Sequence, residues 1–114
     1  RPLLTLVFAG LPELWDRMLL RRNRALWSRI HTRLRLPDPE PADTVAYVDH
    51  RLRLAGAKAE LFTTDAISLL HEGSAGRLRD IDRIATAALK AAARGNYNRV
   101  DRALMVNIIA SHQR

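Results

Sequence analysis

Residues 37–41 read Pro-Asp-Pro-Glu-Pro, and neither a helix nor a central strand runs through such a stretch. Each proline lacks a backbone N–H and fixes its own φ, and each also restricts the residue before it. A chain built around this segment must organise itself in two pieces. We place the boundary at residue 37, giving units of 1–36 and 37–114. At 114 residues in all, there is room for one small domain beside a shorter remnant.

The second piece reads as helices throughout. Residues 42–55 carry Val45, Val48 and Leu52 at amphipathic spacing, with Gly56 following. Thr63 suits an N-cap and Asp65 the first helical turn, with Phe62 and Ile67 placed as a hydrophobic staple. Leu69 and Leu70 fill the buried face of that helix, and Gly73 is expected to end it. A longer helix is expected over residues 77–93, with Leu78, Ile81, Ala85 and Ala88 in one stripe widened by Ile84 and Leu89. Gly95-Asn96 closes it. Asp101 then caps a last helix whose apolar face holds Leu104, Met105, Ile108 and Ile109. Four helices with short connections make a small bundle.

The first piece is of a different kind. Residues 3–9 form a short apolar run ending at Gly10, which predicts a buried strand. A strand without a partner cannot bury itself, so this one implies a sheet elsewhere or a segment that turns helical. Pro12 and Glu13 suit a helix start, predicting a helix over residues 12–20, and residues 21–24 suit a turn. Residues 33–36 alternate Arg-Leu-Arg-Leu, which predicts a short strand near 31–36. The fold class expected is therefore mainly α: a four-helix bundle preceded by a short α/β remnant.

Charge separates the two pieces further. Residues 1–36 hold eight Arg against Glu13 and Asp16, a net of +6, whereas residues 37–114 hold eleven Lys/Arg against ten Asp/Glu. A positive field concentrated in this way favours an anionic partner: nucleotide phosphate, nucleic acid or an acidic neighbouring subunit. There is no cysteine, which excludes disulfides and thiolate metal sites and fits a reducing, cytoplasmic setting. No apolar run approaches the roughly 18 residues a membrane helix needs, so no membrane insertion is expected. The chain begins with Arg1 and enters an apolar run almost at once, which leads us to expect a piece of a longer protein.

The residues that carry chemistry are few. No phosphate-binding glycine loop and no acidic pair after a strand occur. His31, His50, His71 and His112 lie far apart, and no metal site is expected. Two arginine contexts stand out: Trp27-Ser28-Arg29-Ile30, and Gly76-Arg77-Leu78-Arg79-Asp80, where a glycine turn launches a helix. An arginine in the first turn of a helix is misplaced for helix stability but well placed for a phosphate. The plainer reading is a solvated face in which Arg77, Arg79 and Arg83 pair with Asp80 and Asp82.

The order of these pieces resembles the C-terminal half of bacterial AAA+ ATPases of the ExeA (general secretion) and TniB (transposition helper) group. The resemblance rests on Phe8-Ala9-Gly10-Leu11-Pro12-Glu13-Leu14, then on the arginine-rich residues 20–30 and the proline-containing entry to the second unit. It continues through Ala46-Tyr47-Val48 to Arg51-Leu52, Ala55-Gly56, Leu61-Phe62-Thr63 to Ala66, and Gly76 to Arg79-Asp80-Ile81-Asp82-Arg83-Ile84, ending at Ala87-Ala88-Leu89. It implies that 1–36 is the end of an ATPase core and 37–114 a helical lid. Arg79 looks like the sensor-2 arginine that reaches the γ-phosphate of ATP. Arg29 looks like the arginine finger acting in trans on a neighbour's ATP, with Arg22 and Arg24 as alternatives. Leu11 stands at the sensor-1 position, usually Gln in this group, and so departs from the family. Leucine cannot orient a water, which implies weak or differently organised hydrolysis.

The same resemblance implies ATP and Mg as cofactors of the intact parent, with none for this piece alone, which should be inactive. It implies as partners the missing N-terminal ATPase core, further copies in a homo-oligomer, and a DNA, transposase or secretion partner. The alternative is a helical DNA-binding or protein-interaction module. The helix pair around 64–72 and 77–93 has a helix-turn-helix look, although most basic residues precede residue 37.

Overall fold

The computed structural model describes residues 3–113. The chain divides into two compact units, Arg1–Leu36 and Pro37–Arg114. It is mainly helical, and among the described residues there is no strand beyond one isolated bridge.

In the first unit, α1 spans Glu13–Met18 and α2 spans Arg24–Ser28, with a 3-10 turn at Arg21–Asn23 between them. Pro12 sits at the N-cap of α1, where its missing N–H costs nothing. The Asn23 side-chain amide donates to the Arg17 carbonyl at 2.6 Å, closing the connection between the helices. Trp15 on α1 and Trp27 on α2 meet edge-to-face with ring centroids 5.5 Å apart.

Both strands expected here are absent. Residues 3–11 have no regular secondary structure, and their side chains are exposed, Leu3 at 97% and Val7 at 86%. A strand's N–H and C=O groups need a neighbouring strand, and none lies among the described residues. Residues 30–40 likewise have no regular structure. The alternation in 33–36 is real but inverted in use. Arg33 and Arg35 lie against the tryptophans, while Leu34 and Leu36 are exposed.

The second unit is the expected bundle: α3 (Pro41–Leu54), α4 (Thr64–Ser74), α5 (Leu78–Arg94) and α6 (Arg102–His112). Each start has a local cause. Pro41 occupies the first turn of α3, and the Glu40 N–H donates to the Asp43 carboxylate at 2.8 Å. Thr63 caps α4 by accepting from the Ala66 N–H, and Asp101 caps α6 by accepting from the Leu104 N–H. The segments leading into α4 and α6 are tied together in a parallel bridge between Phe62 and Val100. There Thr63 N–H donates to Val100 C=O at 3.0 Å and Val100 N–H donates to Leu61 C=O at 2.7 Å.

The core of this unit gathers Val48, Phe62, Ala66, Leu70, Ile81, Ile84, Ala88, Ala92, Val100 and Met105, all buried. These come from all four helices and the bridge. The stripes expected on the third and fourth helices are therefore the ones used, except that Leu78 is exposed at 53%.

Gly73 does not end α4. The helix runs on to Ser74, and the reversal falls on Ala75, in the left-handed region, and Gly76 at φ +75°. Gly73 instead serves packing: a Cβ there would lie 3.1 Å from Ile109 Cδ1, so its absence lets α6 approach α4 closely. At Gly76 a Cβ would lie 2.8 Å from Pro39 Cβ and 3.1 Å from the Pro39 carbonyl oxygen. Gly76→Ala is accordingly expected to destabilise the unit by about 2 kcal/mol or more, since left-handed strain and the collision with Pro39 add. Urea unfolding checks it, and a loss within experimental error would refute the account of the turn.

Candidate functional site

The turn between α4 and α5 sets the position of Arg79. Ser74, buried, accepts from the Gly76 N–H through its hydroxyl at 3.2 Å, and the Arg77 N–H donates to the Ser74 carbonyl at 3.1 Å. On α4, His71 Nδ1 lies 2.7 Å from the hydroxyl of Thr44, a buried residue of α3. Pro39 and the His71 ring close over Gly76. The proline-rich entry, α3 and α4 together thus hold the start of α5.

Arg77 is the N-cap of α5 and Arg79 its second residue, and the first hydrogen bond of the helix runs from Ile81 N–H to Arg77 C=O at 2.9 Å. Asp80, facing the positive end of the helix dipole, is shared by Arg77 at 3.7 Å and Arg83 at 3.6 Å. Arg79 is exposed and makes no ion pair among the described residues. The expected charged face is therefore only partly paired. A free guanidinium beside unsatisfied helical N–H groups has the chemistry to hold a phosphate oxygen.

Asp82 does not join that face. It accepts a hydrogen bond from the Tyr47 phenol at 2.8 Å, which ties α3 to α5. That bond, with smaller effects from burial and the Asp82 charge, raises the Tyr47 pKa above its ordinary value, and Arg51 opposes the shift. The folded state therefore keeps the phenol proton to higher pH than the unfolded chain does. Stability from this contact is complete below about pH 10 and falls as pH rises beyond it, because the unfolded chain gives up the proton first. In urea unfolding across this range, wild type should lose stability more steeply than Tyr47→Phe. Parallel pH profiles would refute this.

In the first unit, Arg29 closes α2 as its C-cap residue and its N–H donates to the Leu26 carbonyl at 3.1 Å. Its side chain is exposed and makes no ion pair among the described residues. Arg22 and Arg24 are exposed as well. Leu11 is exposed at 70%, and its carbonyl accepts from the Leu14 N–H at 2.8 Å. Arg29 and Leu11 belong to the first unit, Arg79 to the second.

A cluster that sequence reasoning missed lies next to Arg29. The Arg33 guanidinium sits 3.9 Å from the centroid of the Trp27 ring and donates to the Trp27 carbonyl at 2.9 Å. The Arg35 guanidinium lies 5.5 Å from the Trp15 ring centroid. The available signal was two tryptophans within reach of an arginine-rich segment, a pairing that favours cation–π contact. Among the described residues no group of three or more His, Asp and Glu side chains is arranged to hold a metal. No described helix is long and apolar enough to cross a membrane.

General secretion pathway protein A of Aeromonas hydrophila is 39% identical to the chain over 98 residues. The matched stretch is 85% of this chain and 18% of that protein, so the chain spans a small part of its relative's length. Over this stretch the chain is related to general secretion pathway protein A. No family model matches the chain. No solved structure matches it.

Proposed function

We propose that the chain is the end of the core and the helical lid of a AAA+ ATPase of the general-secretion type. The observation that carries this reading is the ordered set of motifs from Gly10 to Leu89, together with 39% identity over 98 residues to general secretion pathway protein A. In this reading Arg79 is the sensor-2 residue. The turn held by Ser74, Thr44 and His71 positions the start of its helix, and with no ion pair to it among the described residues Arg79 is available for the γ-phosphate of ATP. Arg29 is the arginine finger, reaching a neighbouring copy's ATP and stabilising charge on the transferring phosphoryl group. ATP and Mg are the cofactors of the longer protein, whose phosphate loop and acidic residues lie outside this chain. Leu11, at the sensor-1 position, has an apolar side chain that cannot orient a water, so water must be ordered by other groups.

This reading makes the chain inert by itself. Isothermal titration with a non-hydrolysable ATP analogue is expected to show no saturable binding, and tight binding would overturn the division of labour. In the longer protein, ATP turnover is expected to fall in both Arg79→Ala and Arg29→Ala. Full activity in both variants would remove the assigned roles.

A further inference from the structure

We infer that Arg33 is a positioning residue for Arg29: it clasps the end of α2 so that the Arg29 side chain leaves a fixed point. The inference rests on the reading of Arg29 as the arginine finger and deepens it. Helix α2 is only five residues long, and its last carbonyls have no helical partner. The Trp27 carbonyl accepts from the Ile30 N–H at 3.2 Å and from the Arg33 guanidinium at 2.9 Å. The same guanidinium covers the Trp27 ring at 3.9 Å. One side chain thus adds a second hydrogen bond to this helix-end carbonyl and stacks on the indole of the same residue.

Arg29 lies between the two ends of this contact, two residues after Trp27 and four before Arg33. Its own backbone is helical, φ −92° and ψ −6°, at the point where the chain leaves α2. The clasp closes the loop of residues 27–33 and so restricts the direction in which Arg29 projects. It is also anchored below. Trp27 meets Trp15 edge-to-face at 5.5 Å, so the end of α2 is referred back to α1. Arg35 over Trp15 repeats the motif on the other ring. The arginines of this unit therefore divide by use, with Arg33 and Arg35 committed to tryptophans and Arg29 left exposed.

A finger stabilises transition-state charge only if its guanidinium arrives in the right place, and an error of about 1 Å can cost about a hundredfold in rate. Loss of the clasp should therefore act on kcat and leave KM for ATP nearly unchanged. The test uses two measurements on Arg33→Ala and Arg33→Lys. In the longer protein, Arg33→Ala is expected to lower kcat by roughly ten- to a hundredfold with KM unchanged, and Arg33→Lys to recover part of the loss. In this chain, acrylamide quenching of Trp15 and Trp27 is expected to increase in Arg33→Ala while far-UV circular dichroism stays the same.

Unchanged quenching would overturn the inference, because the clasp would not exist in solution. So would a wild-type kcat in Arg33→Ala when Arg29→Ala is crippled, which leaves the finger assignment standing. A full-activity Arg29→Ala would instead remove the finger reading, and the inference with it. If Arg33→Ala unfolds the first unit, Arg33→Lys with altered quenching and reduced kcat carries the inference, and Arg33→Lys identical to wild type in both overturns it.

Discussion

On the proposed reading of the chain as part of a AAA+ ATPase, replacing Arg29 with alanine in the longer protein is expected to lower ATP turnover by on the order of a thousandfold, with Arg79→Ala costing about a hundredfold or more. The two effects should differ in kind. An arginine finger contacts the phosphoryl group as charge develops, so its loss falls on kcat. A sensor-2 arginine on the lid already touches ground-state phosphate, so Arg79→Ala should raise the ATP dissociation constant as well. Mixing distinguishes them further. If Arg29 is the finger it acts on a neighbour, so subunits carrying Arg29→Ala should be rescued by subunits that lack ATP binding but keep Arg29. If Arg79 is the sensor-2 residue it acts in its own subunit, and its variant should not be rescued. Steady-state ATPase assays of single and mixed preparations read both outcomes. Rescue of Arg79→Ala in place of Arg29→Ala would reverse the assignments.

The second large effect concerns stability. Phe62→Ala is expected to cost about 3–5 kcal/mol, the usual range for truncating a buried phenylalanine. Phe62 is 2% exposed and belongs to the core shared by all four helices of the second unit. It is also the residue through which the entry to α4 bridges to Val100 at the entry to α6. A cavity there loosens two helix starts at once. Small domains are stable by only about 5–15 kcal/mol, so this is a large share of the total. The midpoint should fall by roughly 15 °C or more in thermal unfolding followed by circular dichroism. Phe62→Leu, which keeps most of the volume, should lose much less. A loss below about 1 kcal/mol for Phe62→Ala would mean that the bridge is not a packing centre.

The helices of the second unit were legible because their signals are local. Thr63 and Asp101 are caps, and their side chains accept from N–H groups three residues on. The apolar spacing of Leu69-Leu70 and of Ile81, Ile84 and Ala88 follows the helical turn whatever lies opposite. Gly73 was misread for the opposite reason. Glycine often ends a helix, but here its missing side chain makes room for Ile109, a residue 36 positions away. Nothing local separates a glycine that ends a helix from one that admits a neighbour.

The first unit shows the same limit from the other side. The apolar run of 3–9 and the alternation of 33–36 have strand periodicity, yet neither has a partner among the described residues and neither forms a strand. Periodicity states a preference that only a second strand can satisfy. The alternation was used instead to lay Arg33 and Arg35 on indole rings, a choice that depends on where Trp15 and Trp27 meet.

The sequence by itself determined the helical bundle and the caps of α4 and α6, because capping and helical spacing are read over a few residues, whereas the choice of Arg29 and Arg79 rests on the family resemblance. Tertiary structure decided which side chains are free. It gave Asp80 to Arg77 and Arg83, Asp82 to Tyr47, and the Trp27 ring to Arg33, leaving Arg79 and Arg29 exposed and without ion pairs among the described residues. A charged group's partner is set by distance in space, which spacing along the chain does not record.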